Sequence, residues 1–268
     1  MADTTQTATA PKVLAELNNQ IKTITINNPK AKNSVSPETT KLLLEELGKS
    51  MLDGTRVIIL TGAEGNFCSG ADLGGSTMQN PRQYDVTTYL RTTINPVVTT
   101  IRNMNIPVIA KVRGVAAGVG ANFALACDMV YAAEGAMFSE IFTNIALSSD
   151  GGGAYFMVKA VGYHKAFELM TTAAKIKADE ALQLGLINHL LPENELDAAV
   201  QTMAERLANG PYIAIQQTKA NLREAMKGTL ESTLEAEALN QARNFQTEDM
   251  IEGVVAFLQK RPANWKGK

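Results

Sequence analysis

The chain has 268 residues, of which 45% are hydrophobic and 19% are charged, and its formal net charge is −2 at pH 7. This composition is typical of a globular protein, and the lack of dense Lys/Arg runs argues against nucleic acid as a partner. The two cysteines, Cys68 and Cys127, have no metal-ligand spacing. This cysteine usage makes a reducing cytoplasm the simplest compartment. No apolar stretch approaches the roughly 20 residues of a membrane span, so we expect no membrane binding.

The beginning of the chain predicts a disordered lead followed by a strand, a helix and a second strand. Residues 1–12 are polar, without the apolar segment of a secretory signal. IKTITIN (21–27) alternates as a half-buried strand does, whereas SPE (36–38) is typical of a helix start. RVIILTG (56–62) is a continuous apolar run, which predicts a strand buried on both faces.

The same order of elements repeats further along the chain. PVIAKVRG (107–114) predicts another buried strand, and MVYAAE (129–134) a third, while ADEALQLGLINHLLP (178–192) predicts a helix, a turn and a strand. Strands that alternate with helices pair in parallel with right-handed crossovers, so we expect an α/β core through about residue 195. The remainder, residues 196–268, predicts helices only.

Two glycine-rich turns follow buried strands, which is where ligands of α/β sheets tend to bind. These turns are FCSGADL (67–73) and GVAAGVGANF (114–123). Glycine allows a tight turn and leaves N–H groups free at a helix start, which suits a carbonyl oxygen that gains negative charge. Each turn taken alone could be structural. Neither has the spacing of a P-loop or a dinucleotide fingerprint, which argues against nucleotide binding.

Taken together, the two turns resemble the enoyl-CoA hydratase/isomerase family, also called the crotonase superfamily. The resemblance extends to NNPKAKNSVS (27–36) and to EGVVAFLQKRPANWKGK (252–268). It implies a spiral of ββα turns over residues 13–195 that binds acyl-CoA, and a helical oligomerisation region over residues 196–268. It also implies homotrimers, often paired as hexamers, and a CoA thioester as substrate without a prosthetic group.

The resemblance implies roles for individual residues as well. The main-chain N–H groups of Ala71 and Val119 would form an oxyanion hole for the thioester carbonyl, with Val119 where the family usually has glycine. Lys32 and, from a neighbouring helix or subunit, Lys260 would contact phosphates, although a solvated surface charge is the alternative for each lysine. The adenine and pantetheine would lie along Ser69, Gly70, Ala71, Asp72 and Leu73.

The proton-handling residues depart from the hydratase pattern. Hydratases of the family use two glutamates to activate water, and this chain has Asn122 and Phe142 at those positions. An amide can hold water without taking its proton, and a phenyl ring can do neither. FSEIFTNIALSSDGGG (138–153) is similar to the isomerase branch, the 1,2-epoxyphenylacetyl-CoA and Δ3,Δ2-enoyl-CoA isomerases, in which a lone acid precedes the glycines. Apolar neighbours such as Phe142 and Ile145 would raise the pKa of Asp150 and suit it to proton transfer.

Several alternatives remain open at this point. Asp150 precedes GGGAYFMV, so it could instead cap a helix. Glu140, two residues before Phe142, could supply a second carboxylate but is expected on the surface. The sequence therefore predicts an enoyl-CoA isomerase with Asp150 as its single acid/base. A hydratase or lyase that uses Asp150, and a non-catalytic acyl-CoA-binding scaffold, are the other two hypotheses.

Overall fold

The computed structural model describes residues 10–74 and 81–268. The strands are β1 (Val13–Asn18), β2 (Ile21–Ile26), β3 (Val57–Gly62), β4 (Val108–Val112), β5 (Val115–Ala117), β6 (Met129–Ala133), β7 (Met137–Ser139), β8 (Ile176–Lys177) and β9 (His189–Leu191). The α-helices are α1 (Pro37–Ser50), α2 (Val86–Tyr89), α3 (Asn95–Asn103), α4 (Val119–Ala126), α5 (Gly153–Thr171), α6 (Ala178–Gln183), α7 (Leu196–Ala208), α8 (Tyr212–Ala225), α9 (Leu230–Asn244) and α10 (Glu248–Gln259). Most of the disordered lead expected over residues 1–12 lies outside the described residues.

The strands form one large and one small sheet. The large sheet has the order β1-β2-β3-β4-β6-β9, and the small one has the order β5-β7-β8. From β2 to β9 every pair in the large sheet is parallel, which confirms the pairing predicted from the alternation of strands and helices. Only β1, at the edge, runs antiparallel to its neighbour β2.

Helices cover both faces of the large sheet, because its strands direct apolar side chains to both faces. On β3, Ile58 and Leu60 belong to the core beneath α1, α3 and α4, whereas Val57 and Ile59 pack against α7. Burying one such side chain contributes about 1.5–3 kcal/mol. The continuous apolar run thus marked a strand buried on both faces, as predicted.

The start of α1 has the local structure that its sequence predicts. The hydroxyl of Ser36 accepts a hydrogen bond of 3.3 Å from the main-chain N–H of Thr39, and Pro37 is the first helical residue. Glu38 adds a negative charge in the first turn, where the helix dipole favours it.

From α7 onward the chain is helical. A buried ion pair between Lys219 and Asp128 connects these C-terminal helices to the α/β core. Lys219 of α8 donates to Asp128 Oδ2 over 2.7 Å and to the carbonyl oxygens of Ile101 and Ile106 over 3.1 and 2.8 Å. The following helices expose many large apolar side chains, among them Leu230, Leu234, Leu239, Phe245, Ile251, Val254, Phe257 and Leu258. Among residues 10–74 and 81–268, no helix combines the length and apolarity needed to cross a bilayer.

Candidate active site

The two glycine-rich turns lie side by side in the structure. Cys68 pairs with Ala116 through an isolated β-bridge that joins them. Gly70 has a φ of +110°, and a Cβ added there would lie 3.1 Å from the carbonyl oxygen of Ala117. Glycine is therefore required at this position by both its conformation and the close approach of the second turn. The fold brings together the segments that carry Ala71 and Val119.

The N–H groups of Ala71 and Val119 are free of protein partners among the described residues. Val35 donates to the carbonyl of Gly70 over 2.9 Å and accepts from the N–H of Asp72 over 2.8 Å. In such parallel pairing, the N–H of the intervening Ala71 points away from Val35. Val119 is the first residue of α4, and the N–H groups of a helix's first turn have no intrahelical acceptor. Both donors are available to a ligand.

The predicted CoA-binding residues Lys32 and Ser69 are neighbours. Ser69 donates its main-chain N–H to the carbonyl of Lys32 over 3.0 Å and its hydroxyl to the carbonyl of Ala31 over 2.9 Å. Asp72 and Leu73 continue the same turn and are exposed. A strip thus runs from Lys32 to Leu73, past the N–H group of Ala71. Its two ends are exposed, and its middle, from Ser69 to Ala71, is half-buried or buried.

Lys260 lies elsewhere in the single chain. It is the residue that ends α10, in a left-handed conformation with a φ of 53°. Within the described parts of the chain, no hydrogen bond or ion pair connects its side chain to the strip from Lys32 to Leu73. A phosphate contact from Lys260, made from a neighbouring helix or subunit, stays a prediction.

Asp150 precedes α5 and does not cap it. The N-cap of α5 is Gly152, and no side chain bonds to the first turn of that helix, so the capping alternative is wrong. The Oδ1 atom of Asp150 is buried without a hydrogen-bond partner among the described residues. Burial raises the pKa of Asp150 to about 6, because the charged carboxylate loses its hydration.

The loop that carries Asp150 packs directly on the second glycine-rich turn. Gly151 has a φ of +56°, and a Cβ added there would lie 3.1 Å from Cγ2 of Val119 and 3.3 Å from Cγ2 of Ile94. Glycine permits this close approach, which places the acid next to the segment that carries the Val119 N–H group.

Asn122 and Phe142, at the two hydratase positions, both lie at this site. The side-chain amide of Asn122 is buried and donates a 2.8 Å hydrogen bond to the main-chain carbonyl of Asp150. The ring of Phe142 is 8% exposed, and its Cζ would lie 3.6 Å from a Cβ added at Gly118. Ile145 is 50% exposed in the single chain and stays a prediction as a pocket residue.

The expectation that Glu140 lies on the surface is wrong. Its side chain is 3% exposed, and its Oε2 accepts a 3.1 Å hydrogen bond from the hydroxyl of Ser149. Burial raises the pKa of Glu140 to about 7, with a further upward contribution from Asp150. The chain leaves β7 at Glu140, where φ and ψ are −87° and 71°, and turns this side chain inward. The two-residue spacing from Phe142 gave no signal for this burial, because the strand ends at Ser139 and a 3₁₀ turn over Ile141–Ile145 follows.

The fold and the comparisons with known proteins define the class of this chain. A family model described as enoyl-CoA hydratase/isomerase matches residues 16–268, and the mixed α/β architecture with its helical C-terminal region is the crotonase fold. The class is that of acyl-CoA enzymes of the crotonase superfamily, which act on CoA thioesters. The chain belongs to the enoyl-CoA hydratase/isomerase family.

Individual relatives carry two kinds of name. A Rhodobacter capsulatus protein named "Probable enoyl-CoA hydratase" is 35% identical over 94% of this chain and 97% of its own length. The 1,2-epoxyphenylacetyl-CoA isomerase of Escherichia coli is 32% identical over 96% of this chain and 98% of its own. The solved structure of an enoyl-CoA hydratase from Mycobacterium smegmatis is 28% identical, with a TM-score of 0.89 over 95% of this chain and 99% of that one.

Proposed function

We propose that this chain is an enoyl-CoA isomerase, which moves a C=C bond of an acyl-CoA thioester from the C3 to the C2 position. Asp150 is its single acid/base. The observation that carries this proposal is Oδ1 of Asp150, which is buried without a partner among the described residues. The two hydratase positions of the site hold Asn122 and Phe142, which cannot take a proton.

The first step requires a place for negative charge. When Asp150 takes a proton from C2, the charge gathers on the thioester oxygen. The free N–H groups of Ala71 and Val119 belong to neighbouring turns and would donate to that oxygen. The loss of one such donor typically raises the barrier by about 2.7–4 kcal/mol. The thioester's CoA portion would follow the strip from Lys32 to Leu73.

The second step requires the same group to act as an acid. A carboxyl with a pKa of about 6 is mostly ionised at pH 7, so it begins as a base. After it has taken the C2 proton it is an acid strong enough to return that proton to the enolate at C4. No water takes part, so the missing hydratase glutamates are not needed.

Hydration or another lyase reaction by Asp150 is the second candidate. The observation in its favour is Oδ1 of Asn122, which is buried without a hydrogen-bond partner among the described residues and could hold a water. The hydratase names of several relatives agree with it. The non-catalytic scaffold has less support, because among the described residues no main-chain N–H group donates a hydrogen bond to the carboxylate of Asp150.

A homotrimer or a pair of trimers is part of the proposal. The large apolar side chains exposed on α9 and α10 favour burial against another copy of the chain. Such an assembly would also supply Lys260 from a neighbouring subunit.

To separate isomerisation from hydration, the purified protein is incubated with 3-enoyl-CoA and 2-enoyl-CoA esters of several chain lengths, and the products are identified by NMR. We expect isomerisation of the 3-enoyl esters to exceed hydration of the 2-enoyl esters by about 100-fold or more in kcat/KM. Efficient hydration with slow isomerisation would favour the second candidate, a hydratase or lyase that uses Asp150. Tight binding of both esters without turnover would favour the scaffold.

A further inference from the structure

A second carboxyl group, that of Glu140, is enclosed beside Asp150. One side of it faces a cavity of about 10 Å³, which is at the lower limit for a single water molecule. The other residues that line this cavity carry no titratable group: Ala121, Leu125, Phe138, Ser139, Met157, Ile176 and Leu186. Hydration therefore does little to stabilise a negative charge on Glu140.

Two polar side chains, those of Ser149 and Asn122, meet Glu140 on its other side, in the space where Gly153 lacks a side chain. A Cβ added at Gly153 would lie 2.7 Å from Oε2 of Glu140 and 2.8 Å from Nδ2 of Asn122, and closer still to the hydroxyl of Ser149. The Ser149 hydroxyl is 3.1 Å from Oε2 of Glu140 and 3.4 Å from the main-chain carbonyl of Asp150. Glu140 is thus connected to the Asp150 loop through one hydroxyl.

The charges around Glu140 oppose its ionisation. Among the described residues, Asp150 is the one charged group that shifts the pKa of Glu140, and no lysine or arginine pairs with it. Ser149 and Asn122 favour the carboxylate by hydrogen bonding, but the loss of hydration outweighs both. Within residues 10–74 and 81–268, Oε1 of Glu140 is buried without a partner, as is the Oδ1 acceptor of Asn122. A proton on Glu140 would remove one of two like charges from a dry site.

We propose that Glu140 is a positioning residue of this site, which holds the Asp150 loop through Ser149 and opposes the reaction once it ionises. This inference rests on the proposed function, because it takes Asp150 as the base and an enolate as the intermediate. Ionised Glu140 adds a fixed negative charge near the place where the enolate's charge develops. It also makes Asp150 a poorer acid for the return of the proton.

The test compares pH profiles of kcat/KM for the wild type and Glu140→Gln with a 3-enoyl-CoA ester. Glutamine keeps the shape and the acceptor for Ser149 but cannot ionise. We expect the wild type to lose activity above about pH 7, by up to about tenfold per pH unit, and Glu140→Gln to show no such decline up to about pH 9. The matched control is Glu134→Gln, an exposed glutamate between β6 and β7, which should retain the wild-type profile.

A third variant, Glu140→Ala, tests whether the hydrogen bond from Ser149 to Glu140 positions the Asp150 loop. Glu140→Ala removes the acceptor for Ser149, so we expect its kcat to fall at least tenfold below that of Glu140→Gln while KM changes less than threefold. Infrared spectra of the wild type should contain protonated carboxyl bands of both Glu140 and Asp150 at pH 5.5 that disappear by pH 8.5. The band of Glu140 is the one that is absent from Glu140→Gln and present in Asp150→Asn. This reading of the protonation state needs no activity.

An alkaline decline that is unchanged in Glu140→Gln would overturn the inference, as would a wild-type spectrum in which Glu140 is already ionised at pH 5.5. Asp150→Asn, assayed alongside, distinguishes a failure of the proposed role of Glu140 from a failure of the proposed function. If Asp150→Asn is inactive and the profile of Glu140→Gln matches the wild type, the role of Glu140 is wrong and the proposed function stands. If Asp150→Asn retains full activity, both are wrong.

Discussion

The side-chain amide of Asn122 donates a 2.8 Å hydrogen bond to the main-chain carbonyl oxygen of Asp150. The resemblance to the hydratases of the family implies a catalytic glutamate at the position of Asn122. Here the residue at that position fixes the loop that carries a different acid. Under the proposed function, this change of one residue type alters both which group handles protons and how that group is held.

Asn122→Ala removes this tie and leaves the carbonyl of Asp150 buried without its donor. We expect kcat to fall about tenfold or more because Asp150 is less well positioned, with KM changed less than threefold. An unsatisfied buried carbonyl also costs about 1–3 kcal/mol of folding free energy. Steady-state kinetics and urea denaturation measure the two effects. A raised KM at unchanged kcat would show that Asn122 serves binding instead.

Gly153 is the position where a side chain would disrupt the site most directly. In Gly153→Ala the new methyl group meets Glu140 and Asn122 within 2.8 Å, so we expect a loss of about 1–3 kcal/mol in folding free energy and a fall in kcat. The control is Gly48→Ala within α1, where nothing lies within 4 Å of the added Cβ. Alanine there should stabilise the helix by about 0.5–1 kcal/mol. Equal effects of both substitutions would contradict the close approach at Gly153.

The pH dependence of stability follows from the raised pKa of Glu140. Its usual value is 4.5 and the folded value is about 7, so the folded chain binds the proton more tightly. The favourable contribution is fully present below about pH 4.5 and is lost as the pH rises to about 7. We expect Glu140→Gln to match the wild type within 1 kcal/mol at pH 5 and to exceed it by about 2–3 kcal/mol at pH 8. Urea denaturation at fixed protein concentration measures this difference, and an equal difference at both pH values would show that Glu140 ionises normally.

The ion pair of Lys219 with Asp128 gives a prediction for the fold alone. Lys219→Met leaves a partly buried carboxylate without its cation, so we expect a loss of about 3–5 kcal/mol in folding free energy. Lys219→Met combined with Asp128→Asn removes the uncompensated charge and should recover part of that loss. Asparagine can still accept from the N–H of Val108, which now donates to Asp128 over 2.8 Å. A double variant no more stable than the single one would mean that packing of the lysine stem, rather than charge, fastens α8.

Elements with a strong local signal could be predicted from the sequence. The apolar run of β3 and the capping residues at Ser36 have physical causes within a few residues, and both predictions were confirmed. Strand β1 was not predicted, because only Val13 of its six residues is buried and its turn uses positive φ at Asn19 and Gln20. The small sheet was missed too, since its strands of two or three residues depend on tertiary pairing.

The site was predictable to a similar degree. The approach of the two glycine-rich turns followed from the motifs and the family resemblance, whereas a catalytic role for Asp150 stays a prediction. Glu140 was misplaced because alternation along a strand says which residues share a face without saying where the strand ends. The burial of that face, and the loss of hydration that changes the acid strength of Glu140, depend on contacts with α4 and α5 that are distant in the sequence.

The most direct test of the central claim is the kcat of Asp150→Asn for isomerisation of a 3-enoyl-CoA ester. The control is Asp179→Asn, an exposed aspartate in the first turn of α6. Asparagine keeps the size of the side chain but cannot take the C2 proton, so we predict a loss of about 10³-fold or more, with KM within threefold of the wild type. A kcat for Asp150→Asn within tenfold of the wild type would contradict the account.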